Sequence, residues 1–577
     1  MKKKLLPALI VTGLIILVVI IMGITALINK YTPTKKTEDL KEYFNISSDD
    51  EAALIVDNEL SDYKAKIIDK KIYVDYKFVH DSLNSRFYWD TNENVLLYTT
   101  ASDIISAAAD SNSYSVTKQT NDFGYPIVKA TSDSALIALD YVKQYSNITF
   151  KSYDDPARIV ITSKWDEIDS ATVSNSTQIR VKGGIKSPIL KEVKKDDKIT
   201  ILDSGDKWDK VATEDGVIGY IKRKALSESK KTKLTNPDYE EETFTHIKKD
   251  KDICLAWNQV TSQSANSKVP QVISSTKGIN VMSPTWFYLN DNNGNLADIA
   301  SKDYVSYCHS QGIEVWGLFS NLENTDVDTA YVLTHTSTRT TLINQIMSAA
   351  FNYELDGVNI DFENITEAAY GDSYIEFIRE LSIKCHNNGI SLSVDVTVPA
   401  SFNKFFNRSD MANFADYIVI MGYDEHYKGS DAGSVSSIPW VTEGVESTLK
   451  EVPADQIILG MPFYTRIWEL TPKEDDDAVT DTEDQSKYTV ASQVYSMDAA
   501  AAQLATNNAT AALDEESGQN YAEWSASNKL YKVWLEDSTS LEKRLKLVDD
   551  NKLAGAAFWK LGFENSSVWD TVIKYLD

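Results

Sequence analysis

The 577-residue sequence has few of the residues that build disulfide frameworks or metal sites. Its three cysteines, Cys254, Cys308 and Cys385, are odd in number and form no CxxC motif. The sequence therefore indicates neither a disulfide-stapled fold nor a zinc cluster. Its six histidines show no HExxH spacing, so no histidine metal site is predicted either. We expect a protein that needs no metal and no other cofactor.

Positive charge is also scarce. The 58 Lys and Arg residues face 85 Asp and Glu residues, which gives a formal net charge of −27. A surface of that sign excludes a nucleic-acid partner, because such a partner requires a basic patch. The hydrophobic content of 42% and the charged content of 25% are those of globular domains. A chain of this length exceeds one hydrophobic core, so we expect about three or four domains.

The N-terminus carries the longest apolar run. Residues 5–28 contain no charged side chain, and a helix of that length crosses a hydrocarbon core of about 30 Å. Lys2 to Lys4 precede the run and favour a cytoplasmic N-terminus. The segment around Ile24 to Ala26 is a poor match to a signal-peptidase site. We predict a single-pass signal anchor over residues 1–30 in a bacterial cell membrane, with the rest of the chain outside; a cleaved signal peptide is the alternative.

Two stretches between residues 46 and 165 share one plan. Residues 72–99 and 126–162 each read as a short strand, an amphipathic helix and two strands around a polar turn. Such duplicated α+β units resemble the copper amine oxidase N-terminal-like domain of bacterial surface proteins. No ligand cluster accompanies them, so the resemblance implies no copper here. It implies a spacer or a wall-binding module.

Residues 170–226 read as short strands separated by turns. The strand "IRV" at 179–181, the strand at Trp208 and the turn at Gly219 to Ile221 resemble a bacterial SH3-like domain. The resemblance implies a small β-barrel that either contacts cell-wall peptides or acts as a spacer. Residues 227–242 are predicted to form a charged linker.

From residue 243 to 577 strand-like apolar runs alternate with helical patterns, which is typical of a (β/α)₈ TIM barrel. The predicted strands are residues 253–257, 279–287, 313–319, 357–363, 392–397, 417–423, 457–463 and 555–559. The long gap before the eighth predicts a small α+β insertion at about 466–534. Its acidic stretch is either a solvated loop or a cation site.

The fourth predicted strand carries acids in an otherwise apolar segment. In "ELDGVNIDFEN" (354–364) the alternation of a strand places Asn359, Asp361 and Glu363 on one face. Two carboxylates roughly 6–7 Å apart at the backbone disfavour double ionisation, so their pKa values are pushed apart. Alone, this pattern fits a solvated edge strand or helix N-caps equally well. A closed barrel has no edge, so inward acids must be hydrogen-bonded or functional.

Four segments in order resemble glycoside hydrolase family 18, which includes chitinases, glucosaminidases and peptidoglycan-acting members. They are "DGVNIDFE" (356–363), "MGYD" (421–424), "LGMPFYTRIW" (459–468) and "GAAFWKLGFEN" (555–565). The residues of these motifs are most similar to those of the cell-wall and spore-cortex branch of the family. The resemblance implies a substrate-assisted retaining mechanism, an exception to the scheme with two catalytic carboxylates.

In that mechanism Glu363 is the general acid, Asp361 orients the substrate acetamide, and Tyr423 hydrogen-bonds the acetamide oxygen. The resemblance also implies seven substrate-binding residues: Asn359, Met421, Asp424, Trp559, Trp286, Tyr464 and Arg466. For Trp286 core packing is the alternative. Asn359 stands where many members carry an Asp, and we expect its amide to hydrogen-bond Asp361.

These expectations lead to two main alternative functions, beside a third in which the chain is a structural spacer with a residual site. The first is an extracellular, membrane-anchored hydrolase of β-1,4 linkages that follow N-acetylglucosamine, with peptidoglycan favoured over chitin. The second is a catalytically silent, lectin-like protein of the cell wall. The presence of Glu363 favours the hydrolase.

Overall fold

A computed structural model describes residues 5–365, 370–473 and 484–576. The chain divides into two compact units. One comprises Met1–Trp89, Ala107–Tyr114 and Thr120–Glu241, and the other comprises Asp90–Ser106, Ser115–Gln119 and Glu242–Asp577.

The first unit begins with the helix Leu5–Tyr31. Within the part of the chain that the structure describes, this is the one helix whose segment Leu9–Tyr31 is long and apolar enough to cross a membrane. Its apolar side chains are exposed, Leu14 by 55% and Ile15 by 58%. The predicted apolar helix is therefore present, and its apolar surface is exposed.

The two predicted repeats contain the expected order of elements. The first has the strand Lys71–Asp75, the helix Tyr76–Ser82 and the strands Phe87–Asp90 and Val95–Thr99. The second has the strand Ala135–Ala138, the helix Leu139–Gln144 and the strands Thr149–Tyr153 and Arg158–Thr162. The family resemblance of this region stays a prediction.

The predicted boundary of the duplicated domain, 46–165, differs from the observed units. Residues 90–106 and 115–119 belong to the second unit. Asp90 accepts hydrogen bonds from the backbone nitrogen (2.7 Å) and Oγ1 (2.6 Å) of Thr336. The hydroxyl of Thr99 donates to the buried Glu376 at 2.7 Å. These long-range hydrogen bonds join the segment to the second unit, and no pattern in the sequence predicts them.

Residues 167–233 form a seven-stranded antiparallel sheet. In spatial order its strands are Ile189–Val193, Thr177–Arg180, Ile218–Lys222, Trp208–Thr213, Lys198–Asp203, Glu167–Thr172 and Lys230–Lys233. Val173, Ile179 and Val211 are buried in its core. The linker predicted for 227–242 is partly wrong, because its residues Lys230–Lys233 pair with Glu167–Thr172. The SH3-like resemblance stays a prediction.

The second unit is built on a closed barrel of eight parallel strands. They are β1 (Ile253–Asn258), β2 (Val281–Leu289), β3 (Glu314–Ser320), β4 (Gly357–Asp361), β5 (Ser391–Thr397), β6 (Tyr417–Met421), β7 (Ile457–Pro462) and β8 (Gly555–Trp559). Each pairs with the next, and β1 pairs with both β2 and β8. Each of the eight predicted runs overlaps one of these strands, so the TIM-barrel prediction is confirmed.

Helices cover the outside of the barrel. The main ones are Val269–Ile273, Lys302–Ser310, Thr336–Tyr353, Gly371–His386, Arg408–Phe414, Ile438–Thr448, Ser538–Asn551 and Trp569–Val572. Along β4, Val358 and Ile360 face these helices, while Asn359 faces the barrel interior. Gly357 is required at the start of β4, because a Cβ there would lie 2.5 Å from the Trp316 ring. The glycine of the motif thus leaves room for the Trp316 ring, which fills part of the barrel interior.

The predicted insertion lies between β7 and β8. Its antiparallel sheet contains Tyr464–Pro472, Tyr488–Ser496, Ala512–Asp514, Gln519–Ala526 and Lys529–Leu535, with the helix Met497–Thr506. Only Phe463 separates β7 from the first of these strands. The insertion therefore continues directly from the barrel wall.

The three cysteines are all free and buried, Cys254 in β1, Cys308 in Lys302–Ser310 and Cys385 in Gly371–His386. Burial raises the pKa of the Cys254 and Cys308 thiols to about 12. Thiols in such surroundings behave as small apolar groups.

Candidate active site

The fourth strand delivers its acids to the C-terminal mouth of the barrel. Asp361 ends β4, and Glu363 lies two residues beyond it. Phe362 between them is buried against the helical layer, which turns the two acids to the opposite side. The backbone nitrogen of Asn364 donates to the buried Asn321 at 3.2 Å, which fixes the start of the following loop. Catalytic residues of TIM barrels occupy this end of the strands.

Asn359 is fully buried and holds three neighbours inside the barrel. Its Oδ1 accepts hydrogen bonds from Trp257 Nε1 and Ser283 Oγ, both at 2.9 Å. Its Nδ2 donates to Asp395 Oδ1 at 2.7 Å. The predicted hydrogen bond from Asn359 to Asp361 is therefore wrong, because the amide reaches sideways to β5 rather than along β4.

Asp361 is in an environment that favours the neutral acid. Burial raises its pKa well above the ordinary range, and the negative charges of Asp395, Glu363 and Glu323 add to the rise. Among the described residues, its buried Oδ1 has no hydrogen-bond partner. An unsatisfied buried carboxyl oxygen is costly, so this atom is available to a ligand or to a shared proton.

Glu363 has the property that a general acid needs. Burial raises its pKa, and the charges of Asp424 and Glu323 raise it further. A carboxylic acid with a raised pKa keeps its proton closer to neutral pH and can give it to a leaving group.

Aromatic side chains form the floor of the mouth. The Trp257 ring meets Tyr423 edge-on, with centroids 6.5 Å apart, and Trp559 at 6.0 Å. Trp559 is only partly buried, so part of its ring is open to solvent. Burial first, then the nearby acids, raises the pKa of Tyr423 well above its usual range. Its hydroxyl is therefore a neutral hydrogen-bond donor.

One wall comes from the loop after β6 and from the insertion. The hydroxyl of Tyr464 donates a hydrogen bond to Asp424 Oδ1. An Arg466 nitrogen lies 3.9 Å from the same oxygen, and Arg466 also donates to Ser492 Oγ at 3.1 Å. Three predicted binding residues thus meet at one point.

Met421 lines a cavity of about 220 Å³ beside Glu363. Asp395 and the exposed Phe402 line the same cavity. Met421 and Glu363 thus line one cavity, and the contact of Met421 with the sugar stays a prediction.

Trp286 lies elsewhere, and its assignment to the cleft is corrected. Its side chain is fully buried, donates from Nε1 to Asn266 at 2.8 Å and packs edge-on against Tyr304 at 4.9 Å. In β2 the interior position belongs to Ser283 and the outward position to Trp286. The tryptophan is part of the core between barrel and helices.

The sequence prediction missed Asp395, Trp257, Ser283 and Glu323. Asp395 interrupts the apolar run "LSVDVT" as an acid inside a buried strand, and that signal was available. Glu323 lies in a loop after β3, where nothing in the local pattern distinguishes it.

Among the described residues, no group of three or more His, Cys, Asp or Glu side chains could hold a metal ion. Most of the acidic stretch predicted as a loop or cation site lies outside the described residues, at 474–483.

Residues 318–564 match the glycosyl hydrolases family 18. The chain carries a glycoside hydrolase family 18 domain. It is 23% identical over 301 residues to the uncharacterized glycosylase YvbX of Bacillus subtilis, covering 49% of this chain and 81% of that protein. It is 25% identical over 287 residues to the cortical fragment-lytic enzyme of B. subtilis, covering 48% and 63%.

Among solved structures, the spore cortex-lytic enzyme SleL of Bacillus cereus superposes with a TM-score of 0.50 at 18% identity, over 60% of this chain and 77% of that chain. This likeness shows a shared fold. Together with the family 18 match, these relatives identify the chain as a glycoside hydrolase. The match begins within β3 and includes β4 to β8, so the four quoted motifs lie inside the family 18 region except for the last residue of the fourth, Asn565.

Proposed function

We propose that the chain hydrolyses β-1,4 linkages that follow N-acetylglucosamine, with retention of configuration and with the substrate acetamide as nucleophile. The observation that carries the proposal is the acid pair at the end of β4. Glu363 has a raised pKa, while Asp361, also with a raised pKa, lies two residues earlier and has an Oδ1 with no hydrogen-bond partner among the described residues. Two carboxyl groups in unequal surroundings divide the work of proton donor and charge stabiliser.

In the first step protonated Glu363 gives its proton to the glycosidic oxygen, and the bond from C1 to that oxygen breaks. The acetamido oxygen of the sugar forms a new bond to C1, which yields an oxazolinium ion. Asp361 accepts a hydrogen bond from the acetamide N–H and stabilises the positive charge. Tyr423, held neutral by its surroundings, donates to the acetamide oxygen.

In the second step a water molecule attacks C1 and the bond from C1 to the acetamido oxygen breaks. The carboxylate of Glu363 takes a proton from that water and is ready for the next turnover. Trp559 offers an apolar ring face for the distorted sugar. Asp424, fixed by Tyr464, and Met421 would contact the same sugar from the side.

Peptidoglycan is the favoured substrate. Two matched proteins are named for spore-cortex lysis, and the helix Leu5–Tyr31 is suited to hold the enzyme at a membrane facing a wall. We propose a single-pass protein of the bacterial cell membrane with its hydrolase outside. Residues 46–165 and 170–226 would act as spacer or wall-binding modules between anchor and barrel.

The test is digestion of purified peptidoglycan and of chitin oligosaccharides by the protein lacking residues 1–30. Product masses and the anomeric configuration of the new reducing ends are recorded. We expect muropeptides that end in N-acetylglucosamine, released first as the β-anomer. Inverted products, or cleavage after muramic acid alone, would contradict the mechanism.

The matched variant is Glu363→Gln, which keeps the shape but cannot donate the same proton. Turnover should fall by at least about 10²-fold, while oligosaccharide binding measured by calorimetry persists. Binding without cleavage by the unaltered protein would instead indicate the lectin-like function.

A further inference from the structure

The inference concerns Asp395 and rests on the proposed function. In the parallel pairing of β4 and β5, Asn359 lies opposite Ser393 and Ile360 opposite Val394. Asp361 and Asp395 are the next pair in this register, about 4.8 Å apart at the backbone. The side chain of Asp395 faces the interior, because it accepts a hydrogen bond from Asn359 at 2.7 Å. The buried Asp395 and Asp361, whose Oδ1 is buried, therefore lie side by side on neighbouring strands.

Their surroundings are unequal. Asp395 has a fixed donor in the amide of Asn359, and that amide is held in orientation by Trp257 Nε1 and Ser283 Oγ, both of which donate to its oxygen. Because these two donors occupy the Asn359 oxygen, the nitrogen must point to Asp395. A donated hydrogen bond stabilises a carboxylate, whereas Asp361 Oδ1 has no partner among the described residues.

We propose that Asp395 is a positioning residue which shares a single proton with Asp361. In the resting enzyme Asn359 keeps Asp395 ionised, and Asp361 carries the proton. When the substrate acetamide binds, the O–H bond of Asp361 breaks and the proton moves to a carboxylate oxygen of Asp395. Asp361 is then an anion at the moment when its charge is needed beside the oxazolinium ion, and the proton returns after product release.

Burial and mutual repulsion agree with this division. Burial raises the pKa of both acids well above the ordinary range, the charge of Asp395 raises that of Asp361, and the Asn359 hydrogen bond acts in the opposite direction on Asp395. The other titratable or charged groups around the pair are Glu363, Glu323, Asp424, Tyr423, Tyr374, Tyr464 and Arg466. None of these is a neighbour of Asp395 in strand register.

Proton counting tests the shared proton without any substrate. The slope of the unfolding free energy against pH gives the difference in bound protons between the unfolded and folded states. Near neutral pH, Asp361→Asn should remove about one proton from the folded state, because Asn359 keeps the remaining Asp395 ionised. Asp395→Asn should lower the pKa of Asp361, because a negative neighbour is lost while burial remains. If the proton is shared, the double variant should also remove only about one. A loss of two protons in the double variant, or an Asp361 pKa that does not change in Asp395→Asn, would overturn the proposal.

Enzyme kinetics test the positioning role. Asp395→Asn should lower kcat by roughly 10- to 100-fold with little change in KM, because the proposal gives Asp395 a role in the protonation of Asp361 and none in binding the sugar. The exchange variant Asn359→Asp/Asp395→Asn restores an acid and amide pair beside Asp361, and kcat should recover to within about 10-fold of the original. An exchange variant as impaired as Asp395→Asn would refute the role.

The matched control is Asp416→Asn. Asp416 is a buried acid immediately before β6, at the opposite end of the barrel, where it accepts from the backbone nitrogen of Leu392 at 2.8 Å. Its loss should lower stability and leave kcat of the folded protein unchanged. If the unaltered protein proves inactive on every glucosaminide, the proposed function fails, while the proton count still decides whether Asp361 and Asp395 share a proton.

Discussion

The hydroxyl of Tyr464 donates a hydrogen bond to Asp424, which joins the first strand of the insertion to the loop that follows β6. Asp424 adopts a left-handed backbone conformation, with φ 61°, and this conformation is unfavourable for most residues. The hydrogen bond from Tyr464 therefore helps to hold Asp424 in a backbone conformation that is unfavourable by itself.

We predict that Tyr464→Phe lowers kcat/KM for a glucosaminide. A hydrogen bond to a charged group typically contributes about 1.5–3 kcal/mol, which corresponds to roughly 10- to 150-fold if it acts on the transition state. Steady-state kinetics at fixed pH provide the measurement.

The control for this prediction is Tyr531→Phe. Tyr531 also donates from its hydroxyl to a carboxylate, Glu469, at 3.0 Å, but within the insertion sheet. This variant should keep its kcat/KM. Equal losses in both variants would mean that the effect comes from destabilising the insertion.

A second prediction concerns pH. The charge of Glu323 contributes to the raised pKa of Glu363. Removing it by Glu323→Gln should lower the Glu363 pKa, so the acid loses its proton at lower pH and the basic limb of the kcat/KM profile moves down the pH scale. Glu314→Gln, at the other end of β3, should leave the limb in place. A limb that moves upward in Glu323→Gln would contradict the assignment of the acid.

The third prediction is a change in stability. The folded-state pKa of Asp361 lies above its unfolded value of about 3.9. Its contribution to stability is therefore fully present below pH of about 3.9 and is lost as the pH rises through the folded-state pKa. Asp361→Asn removes this loss. In chemical denaturation, the variant should gain more unfolding free energy relative to the unaltered protein at pH 7 than at pH 4, although its activity falls. A larger gain at pH 4 would refute the neutral form of Asp361.

We further predict that hydrolysis survives exhaustive chelation, because the proposed steps use only side chains and the substrate acetamide. The measurement is the rate before and after dialysis against a chelator. Loss of activity that calcium or zinc restores would direct attention to the acidic stretch at 474–484.

The last prediction concerns the N-terminal helix. Full-length protein should sediment with membranes, whereas protein lacking residues 1–30 should be soluble and still cleave its substrate. Recovery of full-length material from the medium, cut after about residue 26, would identify the helix as a cleaved signal peptide.

The barrel could be predicted from the sequence because each strand repeats one physical constraint. A parallel strand covered on both faces requires an apolar run, and eight such runs with helices between them leave few other folds. The acids of β4 were predictable for the same reason, since Asp361 and Glu363 interrupt a run that is otherwise buried.

The partners of those acids could not be predicted. Asn359 was expected to bond along its own strand, yet its amide bonds to Asp395 on the next strand. That choice depends on the register of β4 against β5 and on two donors, from β1 and β2, that turn the amide. The position of Trp286 could not be predicted for a similar reason. A shift of one residue along β2 moves a side chain from the barrel interior to the core between the barrel and the helices.

The reactivity of the three buried thiols can be used to measure local unfolding of the barrel domain. A thiol reagent modifies Cys254, Cys308 or Cys385 only when the surrounding segment unfolds, because each is enclosed in the native barrel domain. Labelling rates followed by mass spectrometry would thus report local unfolding at β1 and at two helices separately. A single cysteine introduced on the surface would accept a fluorophore without the removal of any natural thiol.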